Sequence, residues 1–137
     1  MSDSKQVTLR WSGEDLVFEG TGASGGPITI DGNSGEGPSP MDTLLLALAG
    51  CMTADIRLIL EKSRVPLDGL EVMVEGERAA EPPRRYTRIG MVFRLSGPGP
   101  EDGPKVERAV ALSRETYCSV MHTLRQDVDI DIRVEQA

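Results

Sequence analysis

Val7, Leu9 and Trp11 alternate with Thr8 and Arg10, the two-residue period of a strand with one buried face. Ser12-Gly13-Glu14-Asp15 carries turn chemistry and Leu16-Val17-Phe18 follows as a second apolar run, so the segment predicts a hairpin. A short third strand, Ile28-Thr29-Ile30, leads into a loop rich in Gly, Ser and Asn from Asp31 to Pro38. Ser39 as cap, Pro40 at the first helical position and Asp42 three residues after Ser39 then signal a helix start with a capping box. Leu44, Leu45, Leu46, Ala47, Leu48 and Ala49 cover every azimuth of that helix, and a helix apolar all round must be buried all round. Charge returns with Asp55, Arg57, Glu61 and Lys62 ahead of Pro66, so the helix is expected over about 40–63.

Two longer strands follow. Leu70, Val72 and Val74 face away from Glu71, Glu75 and Glu77, and Ile89, Met91, Phe93 and Leu95 face away from Arg88 and Arg94. The acidic and basic outer faces match as antiparallel neighbours across a turn at Glu81-Pro82-Pro83-Arg84, with a loop from Pro98 to Pro104 afterwards. Val106, Ala109, Val110, Ser113, Tyr117, Val120 and Leu124 recur at helical spacing and predict one amphipathic helix over 104–125. Val128, Ile130, Ile132 and Val134 alternate with Asp129, Asp131 and Arg133 in a final strand. The order βββ-α-ββ-α-β predicts an α+β fold with mainly antiparallel sheets on two helices, expected as a single domain over 1–137. One sheet face cannot bury every side of the first helix, so the pattern predicts a homodimer with the apolar helices at its centre.

Composition narrows the function. At 137 residues with 4% aromatics, the core must be small and aliphatic, and the formal charge of −7 leaves no basic face for nucleic acid. The longest uncharged apolar stretch, Thr43 to Ala54, is 12 residues and too short for the roughly 20 of a membrane span. Residues 1–6 show no secretory pattern, so the cytoplasm is the expected compartment. The single histidine, His122, leaves no histidine-rich metal site, and no cofactor is expected.

Two cysteines are the candidate chemistry. Without an export signal they read as free or redox-active thiols and not as a structural staple. Cys51 lies between Gly50 and Met52 in the apolar helix, where a buried cysteine acts as a small hydrophobe. Burial and Asp55, four residues on, both disfavour a negative charge there, so an activating cation must come from elsewhere in the fold or from a partner subunit. Cys118, on the predicted helix over 104–125, shares its face with Arg114 four residues before and His122 four after; Glu115 opposes them. Arg114 as a solvated surface residue and His122 as a helix-end partner is the competing reading.

Read together, Ser39-Pro40-Met41-Asp42, the leucine-rich run ending Ala49-Gly50-Cys51, and Glu115-Thr116-Tyr117-Cys118-Ser119-Val120 resemble the paired cysteine motifs of the OsmC/Ohr family (osmotically inducible protein C and organic hydroperoxide resistance proteins). The Asp31-Gly32-Asn33-Ser34-Gly35 loop and the Pro82-Pro83-Arg84 turn fit as well, and the resemblance spans about residues 7–134, closest to a less-characterised OsmC-like branch. It implies a thiol peroxidase in an intertwined homodimer. Cys51 would attack a small-molecule organic hydroperoxide and become a sulfenic acid, and Cys118 would condense with it to a disulfide that a dithiol electron donor reduces. The family's thiolate is served by an arginine from the first hairpin loop, held by a glutamate ten residues before the cysteine. Here that place is Met41, with Asp42 one later, and the turn Ser12 to Asp15 has no arginine. Arg10, on the strand before the turn, is therefore the first candidate cation and Asp42 its candidate acid, with Arg84 and Arg85 in reserve; Asp42 also reads simply as the capping-box acid. The alternatives are a non-catalytic dimeric module binding a small hydrophobic ligand beside inert thiols, and a dimer whose cysteines only sense oxidation.

Overall fold

A computed structural model describes residues 3–22 and 24–136. The chain forms two compact units, residues 1–44 and 45–137.

The first unit is an antiparallel sheet of β1 (Thr8–Trp11), β2 (Val17–Thr21) and β3 (Ile28–Asp31) in sequential order. Arg10 stands opposite Glu19 and Trp11 opposite Phe18. The β1–β2 turn closes through Ser12 N–H to the Val17 carbonyl (3.0 Å), with the Trp11 indole N–H on the Asp15 carbonyl (3.0 Å). Past β3, the Asp31 carboxylate gathers the loop by accepting the amides of Asn33 (2.8 Å), Glu36 (2.9 Å) and Gly35 (3.1 Å). Those donors, Glu36 foremost, lower the Asp31 pKa. A depressed acid contributes stability above its unfolded pKa and loses it as pH falls through the folded one. Asp31→Asn is therefore expected to flatten the acid limb of a melting-temperature-against-pH curve; an unchanged limb would show that the loop does not depend on this charge.

Among the described residues of this unit, Asp31 alone is buried. Leu9 (56%) and Trp11 (58%) are exposed, as are Val7, Leu16 and Ile28. The unit has strands but no core of its own.

Helix α1 (Pro40–Lys62) starts as expected. The Ser39 hydroxyl accepts the Asp42 amide (3.1 Å) while the Asp42 carboxylate accepts the Ser39 amide (3.2 Å). By length and composition alone α1 could cross a membrane. It instead buries Leu48, Met52, Ile56 and Leu60 along one side, in the core of the second unit. Its other side is not covered within one chain: Leu46 is 58% and Leu58 53% exposed, and Ala47, Gly50 and Ala54 are open too. The all-round burial expected of this helix is thus half met by the chain itself.

The second unit holds β4 (Gly69–Arg78), β5 (Tyr86–Ser96) and β6 (Asp129–Gln136), with β5 in the middle. β4 and β5 are antiparallel with Glu71 opposite Arg94 and Glu77 opposite Arg88, the charge matching expected; Arg88 reaches Glu77 at 3.1 Å. β6 runs parallel to β5, because the chain between them crosses over through a helical layer and re-enters from the same end. Ile89, Phe93 and Leu95 of β5 are buried with the α1 stripe and with Val106 and Ala109 of the next helix. Gly76 is required where it stands, since a Cβ there would collide with the Tyr86 ring laid across β4.

The second helical region departs from expectation. In place of one helix over 104–125 there is a 3-10 turn (Pro100–Asp102), α2 (Gly103–Leu112), a π turn (Ser113–Tyr117) and a short α3 (Ser119–Thr123). Cys118 is the break, with extended φ and ψ of −73° and 103°. Burial follows Val106, Ala109, Val110 and Ser113, then skips four residues to Cys118, leaving Tyr117 exposed. The extra residue of the π turn rotates everything after it by about 100°, which is why the periodic pattern misplaced Tyr117.

Candidate thiol site

α1 and α2 run antiparallel. The Lys105 ammonium meets the Ser63 carbonyl (3.3 Å) near one end, and the Ser113 hydroxyl donates to the Asp55 carboxylate (2.9 Å) further along. One turn beyond Asp55 on α1 is Cys51, and just beyond Ser113 is Cys118. The two thiols, both free, lie close enough that Cys51 bears on the ionisation of Cys118. Residues 67 positions apart in sequence, reckoned from their numbers, therefore share one site.

Their surroundings differ. Cys51 sits at the border between the buried stripe Leu48–Met52 and the open stripe Ala47–Gly50–Ala54, and is half-buried. Cys118 is fully buried, at 0% exposure. Its sulfur accepts the Met121 amide (3.3 Å) as the cap of α3, and its own amide donates to the Ser113 carbonyl (2.8 Å). Desolvation pushes the Cys118 thiol up to about 11, opposed by the Met121 and Val120 amides and reinforced by the Cys51 neighbour. The folded chain holds this proton more tightly than the unfolded one, so the contribution to stability is complete below the ordinary thiol value of 9.0 and is lost as pH rises toward about 11. Iodoacetamide at pH 8 is accordingly expected to label Cys51 in the folded protein and both thiols in denaturant. Equal labelling of the two in the folded state would overturn the difference.

The helical flanking expected for Cys118 is corrected by the break in the helix. Arg114 is turned away to the Ile130 carbonyl (3.1 Å), and His122, exposed, donates its amide to the Cys118 carbonyl (3.1 Å). Arg10 lies exposed on β1 in the first unit and engages no carboxylate among the described residues. Asp42 is held in the capping box. The reserve cations are occupied at the β4–β5 turn, Arg84 by the Ala79 carbonyl (3.3 Å) and Arg85 by the Tyr86 carbonyl (3.1 Å) and Asp127 (3.5 Å). Among the described residues no group of three or more His, Cys, Asp or Glu side chains could hold a metal ion.

The sequence profile of the OsmC-like protein family matches residues 32–133. The chain belongs to the OsmC-like family. It is 43% identical to Protein YhfA of Escherichia coli K12 over 126 residues, 91% of this chain and 92% of that protein. It is similar in structure to a hypothetical protein from Aquifex aeolicus (TM-score 0.86, 27% identity, covering 99% of this chain and 98% of that one). It shares its fold with an organic hydroperoxide resistance protein OsmC from Legionella pneumophila (TM-score 0.66, 17% identity, 97% of each chain). Within this OsmC-like chain, Ser113 is the residue beside the thiols that reading for cysteines misses, and Asp55, read from the sequence only as a charge opposing the Cys51 thiolate, is its hydrogen-bond partner. The signal was present: Ser113 is a small hydroxyl residue set among apolar ones on the predicted helical stripe, and Asp55 lies one turn from Cys51.

Proposed function

We propose that the protein is a thiol peroxidase that reduces organic hydroperoxides. The adjacency of a half-buried thiol and a fully buried one carries this reading. Cys51 is the thiol a hydroperoxide can reach. Its sulfur takes the terminal oxygen, the O–O bond breaks, the alcohol leaves with a proton, and Cys51 becomes a sulfenic acid. Cys118 then attacks that sulfur: the S–S bond forms, the S–O bond breaks, and the hydroxide leaves as water with the Cys118 proton. A dithiol donor returns both thiols by exchange. A buried thiol close to its target suits the resolving role, because it is shielded from peroxide yet has only one electrophile within reach.

Two further elements belong to the reading. Arg10, exposed and without a carboxylate partner among the described residues, is proposed as the cation that a Cys51 thiolate requires, supplied by the same chain or by a partner copy. Two copies of the chain are proposed to pair through the open side of α1, because Leu46, Ala47, Gly50 and Leu58 form an apolar surface that one chain leaves in water. A non-catalytic ligand-binding module is the second reading, favoured by the commitment of the Asp42 carboxylate to the helix cap.

Peroxide consumption separates the two. Loss of cumene hydroperoxide with dithiothreitol as donor supports the peroxidase. No turnover, with both thiols still reduced, rejects it in favour of the module.

A further inference from the structure

The π turn between α2 and α3 opens on a residue that is bonded to the other helix. Ser113 opens the turn, is fully buried, and uses both of its polar ends. Its hydroxyl donates to Asp55 (2.9 Å), and its carbonyl accepts the Cys118 amide (2.8 Å) across five residues. Asp55 in turn is four residues past Cys51, on the same face of α1. A continuous chain of bonds therefore runs from the helix bearing one thiol, through Asp55 and Ser113, to the backbone of the other thiol. π turns are rare and concentrate at functional sites because they trade regular hydrogen bonding for a re-aimed side chain. Here the re-aimed side chain is Cys118: in a regular helix 113 and 118 would lie well apart in azimuth, whereas the wider turn lets both be buried toward α1.

We propose that Asp55 and Ser113 are positioning residues for the resolving step, a tether that keeps Cys118 within bonding reach of Cys51 while Cys51 is oxidised. The proposal rests on the peroxidase reading for its biological role but not for its measurement. Neither residue touches the peroxide. Their effect is on the partition of oxidised Cys51 between two fates, condensation with Cys118 and further oxidation to sulfinic acid by a second peroxide. A slack tether slows the first and leaves the second untouched. A residue that merely stabilised the fold would change the melting temperature without moving this ratio in the folded protein.

The test uses the full chain and two oxidants. With graded cumene hydroperoxide, then alkylation and mass spectrometry, native protein is expected to give the Cys51–Cys118 disulfide. Ser113→Ala is expected to shift the disulfide-to-sulfinic ratio by about ten-fold toward sulfinic acid, the factor that about 1.4 kcal/mol makes in a rate. Asp55→Asn, which keeps an acceptor for the Ser113 hydroxyl, is expected to restore the ratio to near the native value. Asp55→Ala, altering the half-buried end, reports the same shift if Ser113→Ala does not fold. Diamide, which closes disulfides without peroxide, keeps the two questions apart. Native protein that closes with diamide and not with hydroperoxide rejects the peroxidase reading, and the slower closure of the Ala variants still supports the tether. Ala variants that close at the native rate, or Asp55→Asn behaving as Asp55→Ala, overturn the tether. Failure of native protein to close with either oxidant overturns both.

Discussion

Cys51→Ser protein is expected to consume no cumene hydroperoxide above the rate of dithiothreitol alone, a complete loss relative to native turnover. The expectation follows from reach. Cys118 is fully buried and holds its proton up to about 11, so it cannot take over as the attacking thiol near neutrality. Cys118→Ser is expected to behave differently, completing one oxidation at Cys51 and stopping there. Dimedone should then trap a sulfenic acid at position 51 in that variant, while Cys51→Ser leaves Cys118 unmodified at the same dose. The opposite labelling pattern would reverse the two roles. Sulfenic acid in neither variant, with native protein also inactive, would leave the module reading standing.

The second large effect concerns α1, where two leucines two residues apart are expected to fail in different ways. Leu48 is at 0% exposure in the core, so Leu48→Asp buries an unpaired carboxylate. That costs several kcal/mol against a total stability of about 5–15, and the variant is expected to lack a cooperative thermal transition. Leu46 is 58% exposed on the single chain, so Leu46→Asp leaves the core intact and puts charge into the proposed helix-to-helix contact. It is expected to keep its far-ultraviolet circular dichroism and to sediment as a monomer where the native protein sediments as a dimer. The hydrophobic pattern by itself would have both substitutions abolish the folded chain, since it treats the run Leu44 to Ala49 as uniformly buried. Native protein sedimenting as a monomer at micromolar concentration would remove the dimer and leave the open α1 surface without an occupant.

Much of this protein follows from local rules. The strands of the second unit were legible because one covered face imposes a two-residue period, and the outer charges announced the β4–β5 pairing before any register was known. The start of α1 was legible because Ser39, Pro40 and Asp42 each satisfy a requirement of the first turn, and the observed bonds are those the residue types predict. The two cysteines stood out as the candidate chemistry of a chain with one histidine. None of these needs knowledge of what lies across the fold.

Three features were decided only in the folded chain. β6 runs parallel to β5, because strand alternation is blind to direction and only the crossover settles it. The role of Arg114 depended on a regular helix at Cys118, and past the π turn its guanidinium lies on the Ile130 carbonyl instead. That turn opens on a serine bonded to an aspartate 58 residues away in sequence. Periodicity reports how a segment relates to its own neighbours within a few turns. A hydrogen bond between helices is not periodic, so it could add one residue to a turn, rotate Tyr117 out and Cys118 in, and bring two thiols together without leaving any sign in the spacing.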